Sequence, residues 1–398
     1  MNSAGEEPKT MEISRYVSSI PKSPFYKIVD YVKELGYEDK VLYLNVGLPR
    51  FDTPEHILAA ASKASLESFT KYTPEAGIME LREAIADKLK KENKIEADPN
   101  SEIFVTCGAQ AGLYVALKTL LNPGDEVLIP SPFYPPYYAH TLLMGAKPVL
   151  VPYIMKDGLS LNPDEIEKAI TPKSRAIFIH TPNNPIGGVL SRENLKAISE
   201  VVLKHNLVVI SDEPYEKILF DGAEHTSIGS LPGMEDNTIT LNSLSKTYSM
   251  TGLRIGYAVA NRNFMTNFLK VHHAINICAN SVAQKAAVAA LNGPHDFLRD
   301  WQQEYDANRN RIVRAINEIP KVSLAVKPIG TFYCFLDIRE MGMSSEEAAE
   351  FFVREGKVVT TPGSGFGSHG EGFVRISFAT SPTIIETAMN NIRGCLGG

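Results

Sequence analysis

The chain has 398 residues, 44% hydrophobic and 22% charged, ordinary proportions for a globular protein too long for a single core. Its 40 Lys and Arg against 46 Asp and Glu leave a net charge of −6, and no basic stripe offers a nucleic acid or a membrane a surface. Four scattered cysteines (Cys107, Cys278, Cys334, Cys395) form no C-x-x-C pair, which argues against a zinc knot or redox pair and for a reducing cytoplasm.

The opening residues, MNSAGEEPKTMEISRY, lack the apolar core of a signal peptide. No apolar run approaches the roughly 20 residues needed to span a bilayer. Residues 1–45 read as an arm plus a helix that packs on a smaller, second domain. Short apolar runs then alternate with helical patterns. Strands are expected at 103–106, 126–130, 147–152, 175–180, 207–211, 238–242 and 254–260. Several are apolar along their whole length, as strands covered on both faces of a mostly parallel sheet must be. Helical patterns at 111–121 and 192–205 lie between them. Residues 46–293 therefore read as a large α/β domain around a seven-stranded sheet. After Asn292-Gly293-Pro294 the texture changes. Phe297, Trp301, Tyr305, Ile312 and Ile316 mark one apolar face of a long helix. The segments 330–338, 344–356, 357–363 and 372–379 complete a small α+β domain, residues 294–398.

Chemistry concentrates in Asn242–Gly256, NSLSKTYSMTGLRIG. A buried lysine loses its proton easily, and its neutral amine attacks a carbonyl. Lys246 is so placed between Ser243 and Ser245 on one side and Arg254 on the other, an order suited to a Schiff base with an aldehyde cofactor that carries a phosphate. Ser243-Leu-Ser-Lys246 is also a literal S-x-x-K, the nucleophile motif of penicillin-binding proteins. The S-D-N and K-T-G elements that must accompany it are absent, since the chain has Ser211-Asp212-Glu213 and Lys246-Thr247-Tyr248. Asp212 ends an apolar strand, where ligands of open α/β sheets sit. Thr106-Cys-Gly108-Ala109-Gln110 joins a strand to a helix through a glycine turn, an anion-binding arrangement. Gly365-x-Gly367-x-x-Gly370 precedes a strand rather than a helix, so it is no dinucleotide motif. His180-Thr-Pro-Asn-Asn184-Pro-Ile-Gly-Gly188 is a rigid turn after a strand. Arg375, inside an apolar strand, needs a carboxylate: a substrate's, or an acid of the large domain.

In this order, from near residue 20 to near residue 390, these motifs resemble the class I and II pyridoxal-phosphate-dependent aminotransferases of fold type I. The resemblance implies that Lys246 holds the cofactor, pyridoxal 5'-phosphate, and that Asp212 pairs with its ring nitrogen. It implies that Tyr215 and Asn184 reach the phenolic oxygen and that Tyr134 stacks on the ring. Gly108, Ala109, Gln110, Ser243, Ser245 and Arg254 would hold the phosphate. Arg375, Asn184 and Gly47 would bind the substrate, and Tyr72 would reach the phosphate of the neighbouring subunit, which makes the active unit a homodimer with shared sites. No metal is implied. Ile186 stands where threonine is commoner in the family. The implied reaction moves an amino group from an L-amino acid (aspartate, aromatic or aliphatic) to a 2-oxo acid, 2-oxoglutarate, by ping-pong exchange. A C–S lyase of the cystathionine β-lyase type shares the same parts. A transcription regulator built on this fold would need a DNA-binding domain, for which the start of the resemblance leaves no room. Members selective for dicarboxylic acids bring an extra cation, in some a lysine near the phosphate turn. TCGAQAGLY has none, which leaves Lys22, Arg50 or a residue of the neighbouring subunit.

Overall fold

The computed structural model describes residues 11–397, so residues 1–10 of the expected arm lie outside the described residues. The main sheet has eight strands: β1 Ile103–Thr106, β2 Glu126–Ser131, β3 Lys147–Ile154, β4 Ser160–Leu161, β5 Ser174–His180, β6 Val208–Asp212, β7 Thr238–Ser243 and β8 Gly256–Val259. Their order is β1-β8-β7-β6-β5-β2-β3-β4. Pairings from β7 through β6, β5 and β2 to β3 are parallel. β8 runs antiparallel to both neighbours, and β4 lies antiparallel on β3.

All seven expected strands form. The eighth, β4, is two residues long, too short for any periodic signal, and exists through pairing with Tyr153 and Ile154. The strand expected at 254–260 shortens to Gly256–Val259, because Arg254 sits at φ 51° in the left-handed region and leaves the ladder.

The continuous apolar runs have a simple cause. Val127, Ile129, Phe178 and Ile210 face one core, shared with Leu113 and Phe268 of helices Ala109–Leu120 and Arg262–Asn276. Their neighbours Leu128, Ile177, Ile179 and Val209 face another, shared with Leu195 and Ile198 of helix Arg192–Lys204. With both faces dry, the middle of these strands is apolar on both sides and polar residues fall at their ends, and each buried Ile or Leu contributes about 1.5–3 kcal/mol.

A second, antiparallel sheet joins Ser323–Leu324, Tyr333–Asp337, Phe373–Ser377 and Thr361–Pro362, in that order. Helix Pro24–Glu34 buries Ile28 and Val32 in a cluster with Ala349, Val353 and Val359. Leu42–Tyr43 pairs in parallel with Val358–Val359. The N-terminal segment thus packs on C-terminal elements. Helix Ser345–Arg354 begins with a capping box between Ser344 and Glu347, a feature worth about 1 kcal/mol. The long helix Asp296–Ile316 buries Tyr305, Ile312 and Ile316, and its Arg309 forks onto Asp221 at 2.6 and 2.7 Å. Among the described residues no helix is long and apolar enough to cross a membrane.

Candidate active site

β1, β2, β5, β6 and β7 all send their carboxyl ends to one edge of the sheet, where ligands of such folds bind. β7 ends at Ser243 and passes into the short helix Leu244–Thr247, which carries Lys246. Lys246 Nζ donates to the Gly47 carbonyl oxygen at 2.7 Å. Burial, reinforced by the positive charges of Arg375 and Arg254, brings this amine down to about 8. Position 47 must be glycine, because a Cβ there would collide with the Tyr333 hydroxyl.

β6 ends at Asp212. Its Oδ2 accepts from the Tyr137 hydroxyl at 2.6 Å, while Oδ1 is buried without a partner among the described residues. Burial raises the carboxyl's pKa, against the opposing pull of His180 and the Tyr137 hydrogen bond. His180, opposite Asp212 in register, lies 2.8 Å through Nδ1 from the Asp212 carbonyl oxygen. A carbonyl only accepts, so Nδ1 carries the proton. Burial lowers the ring's pKa and keeps it neutral. The open Oδ1 of a buried carboxylate calls for a cationic N–H.

β1 leads through Gly108, at φ +81°, into helix Ala109–Leu120. The first amides of that helix have no intrahelical acceptor. The Arg254 guanidinium packs on Gly108, where a Cβ would lie 2.6 Å from its nitrogen. Ser243 Oγ donates to Ser245 Oγ at 2.9 Å beside them. Arg254 pairs with no carboxylate among the described residues; it donates to the Thr251 carbonyl at 2.9 Å. Amides at a helix start, two hydroxyls and an unpaired guanidinium are the donors a phosphate takes.

From the second sheet comes Arg375. It donates to Asn184 Oδ1 at 2.9 Å and to the Asn45 carbonyl at 2.8 Å, and it stacks over the Tyr333 ring at 4.3 Å. Its Nε is buried without a partner, and no described acid pairs with it. The salt bridge to an acid of the large domain, one of the two sequence readings, does not form. Tyr215 shares a 3.1 Å hydrogen bond with the Tyr333 hydroxyl, and burial holds it well above the usual phenol range. Tyr134 is pushed up to about 12 by burial and the Asp212 charge.

All expected site residues except Gly108 and Tyr72 line one cavity of about 1220 Å³. Gly108 lies directly beneath Arg254. Tyr72 is 80% exposed and outside the cavity. Of the two cations weighed for a distal carboxylate, Lys22 lines the cavity, whereas Arg50 is not among the lining residues and pairs with Glu304. Sequence reasoning missed Tyr137, His180, Tyr333 and Asn45. Two left a signal: Tyr137 follows Tyr134 by three residues in helix Pro135–Leu143, and His180 ends the strand beside Asp212.

The sequence model described as aminotransferase class I and II matches residues 39–392. The chain belongs to that family. Aromatic-amino-acid aminotransferase 2 of Thermococcus litoralis is 39% identical over 97% of this chain and 98% of its own length. The aspartate aminotransferase of Pyrococcus abyssi is 40% identical over the same shares. The crystal structure of the aromatic aminotransferase from Pyrococcus horikoshii superposes with a TM-score of 0.87 at 41% identity, covering 92% of this chain and 98% of that one. The chain is thus a transaminase of the aspartate aminotransferase fold, and its cofactor is pyridoxal 5'-phosphate. The site suits this group: the open Asp212 Oδ1 matches a protonated ring nitrogen, and the Gly108–Arg254 cradle matches a phosphate.

Proposed function

We propose that this aminotransferase moves the amino group of an aromatic or other large apolar L-amino acid to 2-oxoglutarate. The supporting observation is the apolar part of the cavity's lining, which includes Phe25, Leu113, Phe133, Tyr138 and Leu150. Such a wall takes an apolar side chain from water at about 25 cal/mol per Å². Relatives at nearly equal identity are named for aromatic amino acids and for aspartate, so the cavity lining carries the choice.

The bound cofactor supplies a ring that draws electrons from the substrate's α-carbon. In this reading Asp212 Oδ1 keeps the ring nitrogen protonated, and Tyr137 and His180 hold Asp212 in place. Tyr134 would stack on the ring, and Tyr215 would donate to its phenolic oxygen. The amides of Ala109 and Gln110, with Ser243, Ser245 and Arg254 over Gly108, hold the phosphate. Lys246 would hold the cofactor, and its amine would carry the substrate's α-proton. Arg375 and Asn184 grip the α-carboxylate beside Gly47.

The active unit in this reading is a homodimer, in which the exposed Tyr72 serves the partner's site. Equilibrium sedimentation is expected to give twice the 43.8 kDa chain mass; a monomer at micromolar concentration would remove Tyr72 from the site. We place the domain boundaries after residues 45 and 293, and the enzyme in the cytoplasm, where its four free thiols stay reduced.

The deciding experiment is a panel of amino acids with 2-oxoglutarate, read by glutamate release. Phenylalanine, tyrosine and leucine are expected to exceed aspartate in kcat/KM by about tenfold or more, the worth of a few buried methylenes. Aspartate as the best donor would refute the apolar assignment. Ammonia released from one amino acid without an acceptor would refute the transferase in favour of a lyase.

A further inference from the structure

Accepting 2-oxoglutarate poses a problem that an apolar wall does not solve. In ping-pong exchange the same cavity takes both the apolar donor and a dicarboxylic acceptor, and the acceptor's distal carboxylate needs a cation. Burying it against the wall unpaired would cost more than the α-carboxylate contact returns.

The cations around the cavity can be assigned one by one. Lys246 is bound to the Gly47 carbonyl and is the amine of the reaction. Arg254 packs on the phosphate turn at Gly108. Arg375 is tied to Asn184 and Asn45 and faces the α-carboxylate. Lys27 is engaged by Glu346 at 3.0 Å. Of the two histidines, His180 donates to the Asp212 carbonyl, and His140 is driven down to about 4 by burial, so both are neutral at physiological pH. Lys22 remains. It lines the cavity, is exposed, and forms no ion pair with any described residue. It comes from the segment between helices Arg15–Ser18 and Pro24–Glu34, whose Ile20, Pro21 and Ser23 also line the cavity, as does Phe25 of the apolar set.

We infer that Lys22 is the specificity residue for the acceptor: its ammonium pairs with the distal carboxylate of 2-oxoglutarate, and with that of glutamate in reverse. This rests on the aminotransferase reading above. The position explains how one cavity serves both substrates. A long, flexible, exposed lysine at the mouth swings in to meet a carboxylate and stays in water when the side chain is aromatic. A cation fixed in the phosphate turn would face every donor.

The test is Lys22→Met, with Lys22→Arg as the charge-retaining control, in the cofactor-loaded full-length enzyme. Steady-state KM is measured separately for 2-oxoglutarate and for phenylalanine, and the cofactor's visible absorbance confirms an intact site. Lys22→Met is expected to raise KM for 2-oxoglutarate about 10- to 100-fold, the size of one charge-assisted hydrogen bond. KM for phenylalanine stays within about twofold, and Lys22→Arg restores most of the acceptor affinity. Higher ionic strength weakens 2-oxoglutarate more than phenylalanine in the unchanged enzyme, and the difference shrinks in Lys22→Met. An unchanged KM for 2-oxoglutarate overturns the inference and assigns the distal carboxylate to a partner-subunit residue. Equal losses for both substrates overturn it as well, by making Lys22 part of the mouth's structure. If the unchanged enzyme does not use 2-oxoglutarate at all, the underlying reading fails instead.

Discussion

Lys246→Ala is expected to lower kcat by about 10⁴-fold and to abolish the visible absorbance of the lysine-bound cofactor. No other described amine can substitute. Lys22 and Lys27 are exposed lining residues, and Arg254 and Arg375 carry guanidinium groups rather than amines. The same residue sets a pH signature. Its amine is brought to about 8, first by burial and then by Arg375 and Arg254. The charged form is disfavoured, so the attacking neutral form is half populated near pH 8. An ordinary lysine at that pH is neutral in roughly one molecule in 300. Cofactor uptake by the stripped protein should therefore accelerate up to about pH 8 and level off above it. A rate still rising tenfold per unit at pH 10 would contradict the depressed amine. Retention of turnover by Lys246→Ala would remove this lysine from the chemistry altogether.

The second large effect is at Asp212. Asp212→Asn keeps the shape and an acceptor for the Tyr137 hydroxyl, but it offers a ring nitrogen no charge. A preorganised charge in a dry site is worth about 3 kcal/mol, so kcat should fall about 10²- to 10³-fold. Cofactor dissociation, followed by absorbance during dialysis, should quicken. Asp212→Glu keeps the charge at the wrong reach and should fall between the two. Stability is expected to move the other way, because Asn removes a buried carboxylate whose Oδ1 has no partner among the described residues. A variant with lower activity but a higher melting temperature would separate the chemical role from a structural one. Full activity in Asp212→Asn would refute the pairing.

Why these two residues were legible, and others were not, follows from where the information lies. β5 and β6 announced themselves because both faces of the sheet are covered, which makes their central residues apolar on both sides. Asp212 then stood out as a charge at the end of such a run. Lys246 and Arg254 share one short stretch of sequence. Arg375 appeared as a cation inside a buried strand, an arrangement that demands a partner, although its partners proved to be Asn184 and a backbone carbonyl. Tyr333 and Asn45 gave no such signal. Their roles arise only when the segments near 45, 184, 333 and 375 meet, and nothing local in an ordinary Tyr or Asn marks that meeting. β4 escaped for the opposite reason, being two residues whose strand character comes wholly from Tyr153 and Ile154.

Arg375 has a consequence for redesign. Chemists who want a transaminase for amines without a carboxyl group would first delete the arginine proposed above to grip it. Here that guanidinium is also a tie, since one nitrogen holds the N-terminal segment at Asn45 and another the main sheet's loop at Asn184. Replacing it with leucine would leave Asn184 Oδ1 without its donor and the Asn45 carbonyl with the Thr361 hydroxyl alone. A workable amine-selective version has to re-engage Asn45 and Asn184 in the same step, for instance by exchanging the loop residues together with the arginine.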